Sequence, residues 1–499
     1  MTDEQKAIAI SDEFVAVSSA ELFTSANAVK EWDARAGLIG TYMYNAVKNS
    51  HLKYMNENAY YYNGKIYEFI SKDIFNYAMT NFLLRMHVNI GDVNRYMKHF
   101  LYRTFQSMRM NCRLEPSFHI MAFLNGVVNM DDGFLRPFSP EYHVIYLNDY
   151  NYDPHAECPI WRAFLKEVLP ERESRLTLQM YLSLGLHNRG KMSDKIENCL
   201  MLFGTGSNGK SVIYETVRGI FGKQNISDMG LMELIKGGDE RYRNIHKIDG
   251  KIFNYCSEIQ ARDISMYSDA FKSLCSGENQ YARMIGKDIY VVKNVPWLIF
   301  NMNNPPKSTD SSYGFFRRFL YVVFDHVIPD ELQNKHLARD LSSEYPGILN
   351  WIRRGRVYLR QRKYQFPMSE NAERRKLLNM GDSGNTTLMW MKLRGVRCSS
   401  YINGELSTWL RAADMYNDMV EVSKKNGYRP DTPRKFGLEL AKYGFASKAN
   451  KKRLANGVQY RVYGMDETAF KDIPEIAEID FPMTDIYEDA VDYDIGDIT

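Results

Sequence analysis

Cysteine pairs, long apolar runs and an export signal are all missing from this chain. Its six cysteines, Cys112, Cys158, Cys199, Cys256, Cys275 and Cys398, include no CxxC pair. That argues against a zinc ribbon, and a disulfide framework is not expected in a chain of 499 residues. Isolated cysteines of this kind read as small buried hydrophobes. No apolar run is long enough to span a bilayer, so no membrane partner is expected. The opening MTDEQKAIAISDEF is acidic where a signal peptide has a basic stretch followed by an apolar one. A soluble, cytoplasmic protein is the expectation. No internal repeat is visible.

What is present is ordinary in bulk and uneven in detail. Apolar residues make up 44% and charged residues 25%, enough for a sizeable core, and the length predicts two to four domains. The formal net charge is +3, yet twelve acids and one lysine between Asp466 and Thr499 carry −11, which leaves +14 on the body before them. A basic body with an acidic tail suits a protein that handles nucleic acid and recruits partners.

Along the chain, residues 1–110 read as mostly helical, interrupted by AYYYNGKIYEFI, a hairpin pattern with Asn63-Gly64 at its turn. Residues 111–190 begin with Gly, Asp and Pro punctuation that suggests short strands, then turn helical in FLKEVL and LTLQMYLSLGLH. From 191 to 370 buried strands alternate with helices: ENCLMLFG, then SVIYETVRGIFG, KIFNYCSEI, DAFKSLCSG and VPWLIFNMNN. That alternation predicts a parallel sheet and an α/β core. Residues 371–465 are helical and end in a Lys-rich hairpin-like segment, and 466–499 form the acidic tail.

The α/β region opens with a phosphate-loop pattern. Gly204-Thr205-Gly206-Ser207-Asn208-Gly209-Lys210-Ser211 fits GxxxxGK[ST], with a strand before it and a helix after it. Glycines there let backbone N–H groups approach phosphates. Lys210 would reach the β- and γ-phosphates of ATP, and the Ser211 hydroxyl would hold Mg²⁺. The helix that starts at this point adds its positive end. Downstream, Glu258 ends a buried strand, where a carboxylate can orient and polarise an attacking water. Asn303 ends the next one, where an amide can bond both γ-phosphate and water. Arg317-Arg318 precede the apolar FLYVVF and suit a finger supplied to a neighbouring subunit.

Taken in order, GxGxNGKS, strand-Ser-Glu, Gly-Glu-x₃-Ala-Arg, Asn303-x-x-Pro306, Asp310 and Arg317-Arg318 before a strand resemble the superfamily 3 helicases of the AAA+ class. The nearest branch is the C-terminal helicase part of phage and plasmid primases and of poxvirus-type helicase-primases. FKSLCSGENQYARMIGKDIYVVKNVPWLIFNMNNPP and DSSYGFFRRFLYVVF are similar to that branch's central motifs, and NGVVNMDDGFLRPFSPEYHVIYLNDYNYDP to the domain before its ATPase. The resemblance covers roughly residues 50–465. It implies an AAA+ P-loop core with a mainly helical N-terminal region and a small winged-helix-like C-terminal domain. It also implies Glu258 as catalytic carboxylate and Mg²⁺ ligand, Asn303 as sensor, and a finger among Arg317 and Arg318. One departure is that Cys256-Ser257 precede Glu258 where many members carry a second acid.

The same resemblance implies a hairpin in ARMIGKDIYVV that projects into the pore of a hexameric ring. Arg283 and Lys287 are its candidate contacts to single-stranded DNA. Phosphate contacts of this kind carry affinity without sequence choice. TPRKFGLELAKYG would be a recognition-type helix and SKANKKRLANGVQYRVYG a wing, with Lys451 and Lys452 set for a duplex or fork. The tail is expected to be disordered and to recruit a primase, a polymerase or a single-strand-binding protein. Residues 1–110 are too short for the primase domain that often precedes this branch. The expected activity is ATP-dependent 3′→5′ DNA unwinding in replication of a phage, virus or mobile element. An ATP-switched, origin-binding initiator and an RNA-directed motor are the competing readings.

Overall fold

The computed structural model describes residues 2–465 apart from 56–57, 100–111, 117–118, 188, 190–194, 205–207, 260–262, 287, 307, 309–312, 327, 330, 332, 335, 383, 395–407, 443–449 and 454–458. Two compact units divide it, Met1–Lys376 and Leu377–Thr499. The domain boundary expected at residue 371 falls inside the helix Glu370–Asp382. Among the described residues no helix is long and apolar enough to cross a membrane.

The first hundred residues have a core of their own. The helix Asp3–Ala16 starts with a capping box in which Thr2 and Gln5 exchange side-chain and backbone hydrogen bonds. Helices Ala20–Asn27, Trp32–Lys48, Lys72–Arg85 and Ile90–His99 follow, Lys72–Arg85 capped by Ser71. Phe14, Phe23 and Phe82 meet edge to face at their centre. The hairpin is as the sequence pattern predicts: β2 (Asn58–Tyr62) pairs with β3 (Tyr67–Ile70), and Asn63 Oδ1 accepts from the N–H groups of Lys65 and Ile66, both at 2.9 Å. A further strand, β1 (Leu52–Met55), joins the free edge of β2. Alternate residues of these strands are buried on the helices, as a half-covered antiparallel sheet requires.

Short strands follow: β4 (Ile120–Phe123), β5 (Gly126–Asn129) and β6 (Leu135–Arg136), antiparallel to one another. The helices Pro159–Val168 and Arg172–Ser183 come next. These elements share one hydrophobic core with the main sheet. The helix Pro159–Val168 has no local side-chain cap. Its first N–H groups are met instead by Glu344, whose two carboxylate oxygens accept from Ile160 and Trp161 at 2.9 Å each. A carboxylate at a helix N-terminus is stabilised by both the bonds and the helix dipole.

The main sheet has five parallel strands: β7 (Cys199–Phe203), β8 (Ile226–Ser227), β9 (Phe253–Ile259), β12 (Trp297–Met302) and β13 (Phe319–Val323). Its order is β13-β7-β12-β9-β8. Between β9 and β12 the chain makes an antiparallel hairpin of β10 (Gln280–Arg283) and β11 (Ile289–Val292). Every residue of β12 and β13 is buried, which explains why these strands read as continuous apolar runs rather than alternations. The helix Lys210–Phe221 covers one face, with Tyr214 edge-on to Tyr255 and Phe221 edge-on to Phe253.

The second unit contains helices Thr386–Leu393, Ala412–Lys425 and Pro433–Lys442 and an antiparallel sheet of β14 (Thr408–Arg411), β16 (Gln459–Met465) and β15 (Asn450–Arg453), in that spatial order. Buried Asp431 joins its helices by accepting from both the N–H and the hydroxyl of Thr387, at 2.9 and 2.7 Å.

A buried arginine ties the short strands to the main core. Arg356 donates to the Met130 carbonyl at 2.7 Å and to His187 Nε2 at 3.1 Å, and pairs with Asp131. A guanidinium can only donate, so His187 Nε2 must be unprotonated. Burial and the adjacent Arg356 charge push His187 down to about 4. Its folded value therefore lies below the unfolded one of about 6.5, and the unfolded chain binds more protons between those limits. Stability that is complete above pH 6.5 is lost as pH falls toward 4. We expect the urea midpoint, followed by tryptophan fluorescence, to fall from pH 7 to pH 4.5, and the fall to be shallower in His187→Gln, which keeps an acceptor for Arg356 but cannot titrate.

Candidate functional site

The site begins where β7 ends. The Gly204 N–H donates to the Met302 carbonyl at 3.0 Å, so the loop leaves the sheet between β7 and β12. A Cβ on Gly204 would sit 2.8 Å from the Phe324 carbonyl and on top of the Asn208 amide, so only glycine fits. Gly209, with φ +87°, turns the chain into the helix Lys210–Phe221, and no side chain caps that helix. Asn208 is buried; its amide donates to the Phe324 carbonyl at 3.1 Å. The Lys210 ammonium, also buried, donates to the Gly204 carbonyl at 2.7 Å and to Asn208 Oδ1 at 2.8 Å. Ser211 is exposed on the first turn. Thr205, Gly206 and Ser207 lie outside the described residues.

Parallel pairing brings the carboxyl ends of three strands together. Met302 is in register with Phe203 of β7 and with Ile259 of β9. Gly204 and Asn303 lie one residue beyond this row and Glu258 one residue before it, on three successive strands, each about 4.8 Å from the next. The β9–β12 register slips between Phe300 and Met302, so Ser257 and Glu258 together oppose Asn301. A bulge of this kind re-aims a side chain. Nothing beyond the backbone of Glu258 is described, while Asn303 is exposed just past β12. The carboxyl ends of neighbouring parallel strands are where open α/β sheets bind ligands.

The two adjacent arginines stand at the opposite edge. Phe319, which follows them, pairs with Cys199 at the start of β7. One five-residue strand, roughly 15 Å, therefore separates them from the loop of their own chain. Their environments differ. Arg318 is buried and donates to the Gly314 carbonyl and to Ser276 Oγ, the latter at 3.1 Å. Arg317 is half exposed and rests on Glu197. No pattern in the sequence singled out Glu197, an acid two residues ahead of a buried strand.

The β10–β11 hairpin turns through Gly286, with φ +72°. Arg283, opposite Ile289, donates to Asp239 at 2.9 Å. Lys287 lies outside the described residues. Lys451 and Lys452 lie on β15, in register with Arg461 and Tyr460. Asp310 and the tail 466–499 are also outside the described residues, as is Cys398; the five described cysteines are buried.

Residues 42–170 match the family model described as D5 N terminal like. Residues 202–318, which run from β7 to Arg318, match a family of unknown function, DUF5906. Among solved structures the chain is similar to the A form apo structure of the NrS-1 C terminal region, at 13% identity over 63% of this chain and 77% of that one, with a TM-score of 0.41. A second apo structure of that region matches at 14% identity over 63% and 78%, with a TM-score of 0.38. Likenesses of that size carry no conclusion about this chain.

Two substitutions separate a close-packed loop position from an open one. Gly204→Ala is expected to destabilise the protein by about 1–3 kcal/mol, because the added methyl meets the buried Asn208 amide and the Phe324 carbonyl. Ser211→Ala, at an exposed position, should stay within about 0.5 kcal/mol. Urea denaturation of the two variants beside the parent checks both.

Proposed function

We propose that this chain is an ATP hydrolase that drives movement along DNA, a ring-forming motor of the AAA+ superfamily 3 type acting in replication of a phage, virus or mobile element. The observation that carries the reading is the register at the carboxyl ends of β7, β12 and β9, which sets Gly204 and Asn303 one residue beyond the Phe203–Met302–Ile259 row and Glu258 one residue before it, near an uncapped helix N-terminus. The D5-like match over 42–170 supports it, since that segment precedes the loop, as the expected domain does.

The donor set fits a nucleotide. Gly204 leaves no Cβ in the cradle, Gly209 sits in the left-handed region, and the helix start offers N–H groups to an anion. Residues 204–211 would hold the phosphates. Lys210 would exchange the Gly204 carbonyl and Asn208 for β- and γ-phosphate oxygens. Ser211 and Glu258 would hold Mg²⁺, which would offset the charge of the phosphates. Glu258 would polarise the attacking water and Asn303 would hold it against the γ-phosphate. Arg317 is the better finger of the two, since Arg318 is engaged internally. Its distance from the phosphate loop of its own chain is the reason to assign it to a neighbour's, and hence to expect a hexameric ring.

Arg283 and Lys287 would grip single-stranded DNA, and Lys451 and Lys452 on a winged-helix-like unit would touch the fork. The helices and three-stranded sheet of the second unit are compatible with that assignment. The tail would recruit a primase, polymerase or single-strand-binding protein.

Strand displacement on forked DNA carrying only a 3′ or only a 5′ tail tests the reading, with Lys210→Ala as control. We expect unwinding that requires ATP and a 3′ tail and disappears in the variant. Intact ATPase activity with no unwinding of either fork would instead favour an ATP-switched, origin-binding initiator.

A further inference from the structure

Glu197 collects more partners than any stability argument about a surface acid requires. It lies two residues ahead of β7 and is largely shielded from solvent, with its side chain 12% exposed. Its two oxygens are used differently. Oε1 accepts from Ser276 at 2.9 Å and pairs with Lys195 at 3.1 Å and with Arg318 at 3.4 Å. Oε2 pairs with Arg317. Burial pushes the carboxyl up, but the bonds from Ser276 and Lys195 and the charges of Arg318 and Arg317 outweigh it and hold it below the usual carboxylate range. One oxygen thus anchors a fixed, ionised carboxylate, and the other is free to orient an exposed guanidinium.

The next two residues hold the backbone of the same pair. Asn198 Nδ2 donates to the Arg317 carbonyl at 3.0 Å, and the Cys199 N–H donates to the Arg318 carbonyl at 2.8 Å. Residues 197–199 are therefore a strap over both arginines. The strap continues without a break into β7, which pairs with β13 through Phe203 and passes directly into Gly204. A fully hydrogen-bonded strand buried on both faces moves as one piece, because close-packed interiors transmit displacement. Arginine otherwise loses rotamer entropy when it is fixed. A fixed carboxylate removes much of that cost before the neighbour is met.

We propose that Glu197 is a positioning residue for Arg317 and couples it, through β7, to the phosphate loop of its own subunit. A neighbour's nucleotide, felt by Arg317, would then be felt at Gly204–Ser211. The inference rests on the motor reading and names a residue which that reading does not need.

Steady-state ATP hydrolysis by the full chain with single-stranded DNA tests it, using Glu197→Gln, Arg317→Ala, the double variant and Lys210→Ala. Glu197→Gln should lower kcat about tenfold with KM for ATP within about twofold, and bring the Hill coefficient for ATP down toward about 1. Arg317→Ala should lower kcat by at least about 100-fold. The double variant should be no slower than Arg317→Ala, since the two residues act as one unit. Ser276→Ala, which removes a donor to the anchoring oxygen and an acceptor of Arg318 but leaves the Arg317 contact in place, carries the same test with a smaller loss of about threefold should Glu197→Gln fail to fold. Equal cost of Glu197→Gln with and without Arg317, an unchanged rate, or a faster one that marks Glu197 as a latch overturns the coupling alone. Absence of hydrolysis in the parent, or an unimpaired Arg317→Ala, overturns the motor reading and this inference with it.

Discussion

The hydrogen-bonded insertion of β7 between β12 and β13 is the constraint on which the candidate site depends. β7 lends one edge to β12 and the other to β13, both parallel, so its two ends are held in register with theirs. At the carboxyl end this aligns Phe203 with Met302 and sends Gly204 into a slot where its N–H meets the Met302 carbonyl and a side chain of its own would meet the Phe324 carbonyl. At the amino end it fixes Cys199 against Arg318. The segment that begins at Gly204 and the arginine pair thus stand at opposite ends of one strand. Their separation follows from strand rise rather than from any loop.

The helices over this sheet are held by contacts remote in sequence. Glu344 caps a helix more than 180 residues earlier, and Phe164 of that helix lies where a Cβ on Gly209 would have to go, 2.8 Å away. The same helix therefore supports the turn into Lys210–Phe221. This makes the segment 121–186 part of the scaffold of the Gly204–Ser211 segment rather than a spacer before it, and Arg356 adds a third tie through Met130 and Asp131.

Several parts of this arrangement were legible in the chain because short-range physics dictates them. Continuous apolar runs at 199–203, 297–302 and 319–323 announce strands buried on both faces, and Asn63-Gly64 announces a tight hairpin. GxxxxGKS between two apolar stretches marks the passage from a strand to a helix. Three strands were not visible, β1, β8 and β14. β8 is two residues long and β1 and β14 four each, too short for a period to stand out. The roles of Glu344 and Glu197 were illegible for a different reason. Each is an acid whose partners are supplied by elements far away, and no spacing in the chain records them.

Arg317 and Arg318 show how far such remote contacts divide identical residues. Neighbours in sequence and identical in chemistry, they are indistinguishable to any pattern. The turn Arg317-Arg318 and the start of β13 direct one side chain inward, where Gly314, Ser276 and Glu197 meet it, and leave the other half exposed on the same carboxylate. A buried guanidinium is costly to detach from its acceptors, because each is then left unpaired away from water. A half-exposed one exchanges a protein carboxylate for water or for another anion at little cost. The pair is therefore a fixed member and a movable member sharing one acid. Any group that Arg317 engages outside its own chain competes with Glu197, and Arg318 keeps that acid in place while it does so.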